Sequence, residues 1–426
     1  MHRKRHNMPR LNVKLVAVAS TAALLMSAVV GIVPSSATSK HVAHSKSPLT
    51  YGELLPITGP IAAVIAGVIQ GANVATKVIN NSGGVLGHPL VAAAQDTTGD
   101  IADAITGFRS LELKHPVFEL GPTSLEAAGV INLYGPAHLP DFTADGSPSL
   151  DVNHLKYVYR TLPSDSNVAK GMAAYAIHKG YTRAALMFES SSNAQEFTPV
   201  LTKGYTSHGG TVTSNVTLTA GQTDYSSEIE QVFATNPQVI FMQVDAQTAG
   251  TLFANMTTLN DVKVPIIMTN DGTNPAILAA VGPAIAQKWV TAVNATSPTN
   301  SSGYKSFVSY WKHYEHSNTP ALYAATLYDS INIAALAMTE AKSTNPTVWN
   351  RFVRLVADGP GKACYRYSQC QKILRSGQKI SYQSAGGVQN FDKYNGLNGS
   401  FDVEQSLPSG SFNILYQESS KLIAGY

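Results

Sequence analysis

The chain has 426 residues, 44% of them hydrophobic and only 13% charged. Its 30 basic and 27 acidic residues give a formal charge of +3, but five basic and no acidic residues lie in residues 1–37. The other 389 residues carry 25 basic against 27 acidic side chains. That balance excludes a basic surface for nucleic acid, and the length points to two domains rather than one.

Residues 1–37 read as an export signal. Arg3, Lys4, Arg5, Arg10 and Lys14 form a basic start, and Leu15 to Val33 is uncharged and mostly apolar. Ser35-Ser36-Ala37 offers small residues for cleavage after Ala37. The other reading is an uncleaved anchor, because 19 residues just span a bilayer. Ser20, Thr21, Ser27 and Gly31 dilute that run. The cysteines are Cys364 and Cys370, so no lipid anchor is expected at the cleavage site. Residues 38–48 form a polar tether. The expected location is exported: periplasmic, cell-wall-associated or secreted.

From residue 49 the pattern is α/β. LTYGELL reads as a strand ending near a Thr-Gly-Pro turn, followed by a helix from about Ile61 to Asn81 and strand PLVAAAQD. This order is a βαβ opening of a parallel sheet. Asp100 caps a helix from about Ile101 to Lys114. Then come strand PVFEL, a helix starting near Ser124 and the short strand LPDF. After YRTLPSDS the alternation restarts. Asp165 or Ser166 caps a helix to about Lys179, and RAALMFE is a buried strand. A helix from about Ala194 to Ser207, strand TVTSNVTL and a helix from Asp224 to about Ala234 follow. PQVIFMQV, a helix from about Thr248 to Leu259, and VPIIMT complete this half. Strands alternating with helices twice over predict two doubly wound parallel lobes.

The last third predicts three helices, 303–316, 320–342 and 346–356. Tyr323, Leu327, Ile331, Ala334 and Met338 share one face of the second and read as core. The tail from Ile380 is strand and turn, with NFDKYNG as a turn. In an exported chain the spacing of Cys364 and Cys370 points to a local disulfide. A CxxC redox pair does not fit the spacing, and a metal site would need ligands not found nearby.

No nucleophile, metal or phosphate motif of a known enzyme class stands out, and no cofactor is expected. His313 and His316 are three apart on a helix and read as surface residues. Binding is the expected activity. In open α/β sheets ligands bind beyond the carboxyl ends of the strands. Gly121-Pro122-Thr123-Ser124 follows PVFEL and opens a helix. Thr123 and Ser124 could give hydroxyl and backbone hydrogen bonds to a carboxylate, aided by the helix dipole. The same residues could equally be an ordinary N-cap.

ITGPIAAVIAGVIQGANVATKVINNSGGVLGHPL resembles the opening of the branched-chain amino acid-binding proteins, the type I solute-binding proteins of ABC importers. GPTSLEAAG, YVYRTLPSDS, QTDYSSEIEQV and CYRYSQC with ISYQSAGGVQNFD resemble later segments in order, over about residues 49–405. The resemblance implies two Rossmann-like lobes joined by a three-crossover hinge, with ligand between them. The lobes would be 49–162 plus 298–390, and 163–297 plus 391–426. The loop Asp145-Gly146-Ser147 would hold one end of an amino acid. There Gly146 or Ser147 falls at the family's Thr position, and Asp145 is an addition. Asp271 falls where the family places an acid for the ammonium; by itself Asn270-Asp271-Gly272 also reads as a turn. Asp245 and Asn193 fall near positions where the family carries aromatics, which argues against a large apolar side-chain pocket. The expected role is that of a monomer that passes a small polar or zwitterionic solute, an amino acid or a related compound, to a membrane permease; the alternative is a sensor that presents the solute to a receptor.

Overall fold

The computed structural model describes residues 46–59, 61–259, 262–296, 298–387, 391–397 and 399–426. The expected signal, 1–37, and most of the tether lie outside the described residues.

Five parallel strands form the first sheet: β1 (Leu49–Leu55), β2 (Leu90–Asp96), β3 (Glu119–Thr123), β4 (Asp141–Ala144) and β5 (Val158–Arg160). Their order is β2-β1-β3-β4-β5. A second sheet repeats that order with β6 (Arg183–Glu189), β7 (Thr211–Leu218), β8 (Val239–Gln243), β9 (Ile266–Met268) and β10 (Val290–Ala295). β11 (Lys362–Cys364) and β12 (Ile380–Tyr382) make a small parallel pair, and β13 (Phe401–Ser406) and β14 (Phe412–Glu418) extend the second sheet antiparallel beyond β10. The expected fold is therefore present. Among the described residues the chain passes between the two sheets three times: after β5, after β10 and before β13.

Each sheet is covered on both faces, so β6, β8 and β9 of the second sheet are near-continuous apolar runs, whereas the inner strands of the first also bury Glu53, Glu119 and Asp141. Every residue of β8, Val-Ile-Phe-Met-Gln, is buried. On one face of the first sheet, helix Ala62–Asn81 packs against helix Ala324–Ala341. The first of these is long and apolar enough to cross a membrane, but here its apolar stripe lies in a core. The second is buried almost all round. Gly71 permits the approach, because a Cβ there would strike the Ala324 carbonyl oxygen. The Cys364–Cys370 disulfide joins the end of β11 to helix Tyr367–Arg375.

Several boundaries differ from the sequence reading. β3 begins later than PVFEL and runs through Gly121 and Pro122 to Thr123. Gly121 has φ 98°, and a side chain there would meet the Leu54 carbonyl oxygen. No long helix starts at Ser124. The chain makes one turn, Ala127–Val130, and another, Tyr134–Ala137. Helix Asp165–His178 is capped by Ser164, whose hydroxyl accepts from the Ser166 amide, so Asp165 sits in the first turn rather than at the cap. Short helices Pro275–Val281 and Pro283–Trp289, β10 and helix Tyr367–Arg375 have no counterpart in the sequence reading. The third late helix is broken into Pro346–Trp349, a 3-10 turn Asn350–Phe352, and Val353–Ala357.

Candidate ligand-binding cleft

A cavity of about 280 Å³ opens between the carboxyl ends of the two sheets. Thr123, Ser124 and Gly146 line it from the first lobe, and Asn193, Gln243 and Asp271 from the second. These residues follow or end β3, β4, β6, β8 and β9, the edge where an open α/β sheet presents its loops. Much of the remaining wall is apolar, including Ile65, Val68, Phe197, Leu322 and Phe401.

Of the residues expected at the site, Thr123, Ser124, Gly146, Asn193 and Asp271 reach this cavity; Asp145, Ser147 and Asp245 are not among its lining. Asp145 is buried behind it, with Oδ1 accepting from the Ser147 amide at 2.7 Å. Ser147 donates its hydroxyl to Glu196 Oε2 across the lobes at 2.6 Å. Asp245 is exposed and caps helix Ala246–Thr258, accepting from the Thr248 amide at 2.7 Å.

Several first-lobe donors are already engaged. The Thr123 amide donates to Glu126 Oε1 at 3.0 Å, and its hydroxyl to Glu126 Oε2 at 2.7 Å. The Gly146 amide donates to Ser124 Oγ at 2.9 Å. The carboxylate-binding role expected for Thr123 and Ser124 therefore lacks its long helix, and the Thr123 donors are already taken. A signal for this exists in the sequence. Thr123-Ser124-Leu125-Glu126 matches the Ser/Thr-x-x-Glu pattern, in which the acid reaches back to the first residue's amide.

The second lobe supplies acceptors. Asp271 Oδ2 accepts from Gln243 Nε2 at 3.0 Å and from the Thr269 hydroxyl at 3.4 Å. Burial nevertheless raises its carboxyl above the ordinary range. Asp165, which also lines the cavity, backs onto Gly146, where a Cβ would lie 2.5 Å from its Oδ1. Burial, then the neighbouring Asp271 and Asp145 carboxyls, push Asp165 up to about 8. Gln243 and Tyr323 line the cavity without having been expected there. Tyr323, expected in the core, instead lines the cavity, and its hydroxyl accepts from Asn270 Nδ2 across the lobes at 2.7 Å. Its backbone is left-handed, φ 58°, just ahead of helix Ala324–Ala341.

Known proteins share this architecture. The leucine-binding protein of Thermotoga maritima superposes with a TM-score of 0.73, 18% identity, over 87% of this chain and 99% of its own; the likeness concerns the fold. The Leu/Ile/Val-binding protein homolog 3 of Brucella melitensis is 26% identical over 212 residues, 45% of this chain and 53% of that protein. The chemotactic signal transduction substrate-binding protein BasB of Halobacterium salinarum is 30% identical over 138 residues, 30% of this chain and 33% of that protein. The chain thus spans about half the length of the first of these curated relatives and a third of the second. Residues 48–350, well over half of the chain, match the periplasmic binding protein family, and the chain belongs to it.

Proposed function

We propose that the chain is the extracytoplasmic substrate-binding component of an ABC importer. It holds a small polar or zwitterionic solute, an amino acid or a related compound, in the cleft and closes about its hinge. The observation that carries this reading is the cavity where the carboxyl edges of both sheets meet, with Asp165 and Asp271 facing an apolar wall. Residues 49–162 with 298–397 move as one body, and 163–297 with 399–426 as the other; the last crossover lies later than the expected 390/391, because Phe391 and Leu397 pack in the first lobe's core. Asp271 and Asp165 take the nitrogen end of the solute. The protein acts as a monomer, uses no cofactor, leaves the solute chemically unchanged and delivers it to a membrane permease. The Leu/Ile/Val-binding name of the Brucella relative supports this role.

A second reading is solute sensing for a receptor, favoured by the similarity to the chemotactic Halobacterium protein. Deleting the gene separates the two. Lost solute uptake supports transport, whereas a lost response with intact uptake supports sensing.

The test of binding is a thermal-shift screen of the exported protein against amino acids, amides, amines, sugars and short carboxylates. A ligand at 100 times its dissociation constant adds about 2.7 kcal/mol to stability, a readily visible shift. The expected result is a shift with one compound class that disappears in Asp271→Ala. A shift that survives the substitution would move the site elsewhere.

A further inference from the structure

The polar groups around the cleft are unbalanced. Its lining holds Asp165 and Asp271 and, among the described residues, no Lys, Arg or His. Asp145, Glu189 and Glu196 lie close enough to interact with these two acids or with one another. Among the described residues Arg160 is the cation that acts on Asp145 and Asp165, but it does not line the cavity; Nη1 donates to the Ser147 carbonyl at 3.1 Å and Nη2 to Asp151 at 2.8 Å, while its buried Nε has no partner among the described residues.

Hydrogen-bonding capacity is skewed the same way. The Thr123 amide and hydroxyl and the Gly146 amide donate within the first lobe, and the Tyr323 hydroxyl, which accepts from Asn270, keeps one proton to give; against these, buried acceptors are left over. Gln243 lines the cavity, is only 7% exposed, and its Oε1 has no partner among the described residues. The Nε2 bond to Asp271 sets which end of that amide carries the free oxygen. Asn193, on the same wall, also has an unpartnered buried Oδ1. An unfilled buried acceptor is costly, so a ligand bringing N–H groups gains by satisfying it. A ligand carboxylate would instead meet no Lys, Arg or His side chain in this lining.

Resting on the cleft reading above, we propose that the solute is an organic ammonium compound with a compact hydrocarbon body and no free carboxylate. Its N–H groups go to Asp271, Asp165 and the Gln243 and Asn193 oxygens. Its hydrocarbon lies against Val68, Phe197 and neighbouring apolar side chains.

Calorimetric titration of the exported protein with three matched probes tests this. The probes are leucine, 3-methylbutylamine (leucine without its carboxylate) and 4-methylpentanoate (leucine without its ammonium). The amine is expected to bind at least tenfold more tightly than leucine, and the acid not at all. Asp271→Asn should weaken the amine at least tenfold while melting within a degree or two of wild type. Asp165→Asn gives a second, independent loss if the first variant folds poorly. Leucine binding as tightly as the amine overturns the proposal. If that leucine binding also falls in Asp271→Asn, the cleft stands and only the charge class is wrong. Silence from all three probes overturns the amine class, and a hit in the broader screen that is lost in Asp271→Ala would still uphold the cleft.

Discussion

At the scale of single residues, the two lobes are joined across the cleft by specific polar pairs, Ser147 with Glu196 and Tyr323 with Asn270. Tyr323→Phe keeps the ring and deletes one bond. Such a bond contributes about 1 kcal/mol, so solute affinity should fall roughly fivefold, with a loss of stability no larger than about 1 kcal/mol. Calorimetric titration of the variant checks this, and unaltered affinity would mean the pair plays no part in the bound state. Tyr323 also shows where side-chain periodicity misleads. Leu327, Ile331, Ala334 and Met338 are buried as their spacing predicts, but Tyr323 sits one position before the helix begins. Its left-handed backbone turns it away from that face, and spacing carries no information about that turn.

At the scale of elements, the pairing of helix Ala62–Asn81 with helix Ala324–Ala341 organises the first lobe and positions Tyr323. Gly71→Ala would drive a methyl group into the Ala324 carbonyl oxygen. Backbone is the obstacle, so relief requires moving a helix, and overpacking of this kind costs about 1–3 kcal/mol. Gly250→Ala is the matching control. It lies inside helix Ala246–Thr258, and its new Cβ would meet only the Ala280 Cβ at an ordinary 3.9 Å. That change should be neutral or add up to about 1 kcal/mol, from helix propensity. Denaturant melts of the two variants should therefore move in opposite directions or differ by more than 1 kcal/mol. Equal effects would mean that the close helix contact does not constrain the fold.

At the scale of the whole molecule, buried carboxyls set the response to pH. Burial raises Glu53 to about 7 and Glu119, Asp165 and Glu418 to about 8. Unfolding returns each to the ordinary carboxylate range, so between that range and pH 8 the folded chain binds more protons than the unfolded one. Stability then falls as pH rises. The stabilisation from these groups is fully present below the ordinary carboxylate values and is lost as pH climbs through 7 and 8. Melting curves at constant ionic strength should show a lower melting temperature at pH 8.5 than at pH 5.5. A flat or rising profile would mean that these carboxyls are ionised in the folded state.

The sequence by itself determined the class of the fold. Apolar runs such as those of β6 and β8, and caps such as Asp100, whose Oδ1 accepts from the Ala102 amide at 2.7 Å, are local signals that survive folding because burial and backbone satisfaction act over a few residues. It also brought Asp271, Asn193 and Gly146 to the cavity, because loops after parallel strands gather at one edge. The tertiary structure alone decided how those groups are used. Glu126 consumes the Thr123 donors, Asp165 turns out of a helix's first turn to back onto Gly146, and Gln243 and Tyr323 enter the wall. The Glu126 cap matches a four-residue pattern, but its consequence for the site depends on the cavity around it. The other contacts join residues about 20 to 50 positions apart. Hydrogen-bond balance in a cleft is a sum over every group that reaches it, and that set exists only after the lobes have packed.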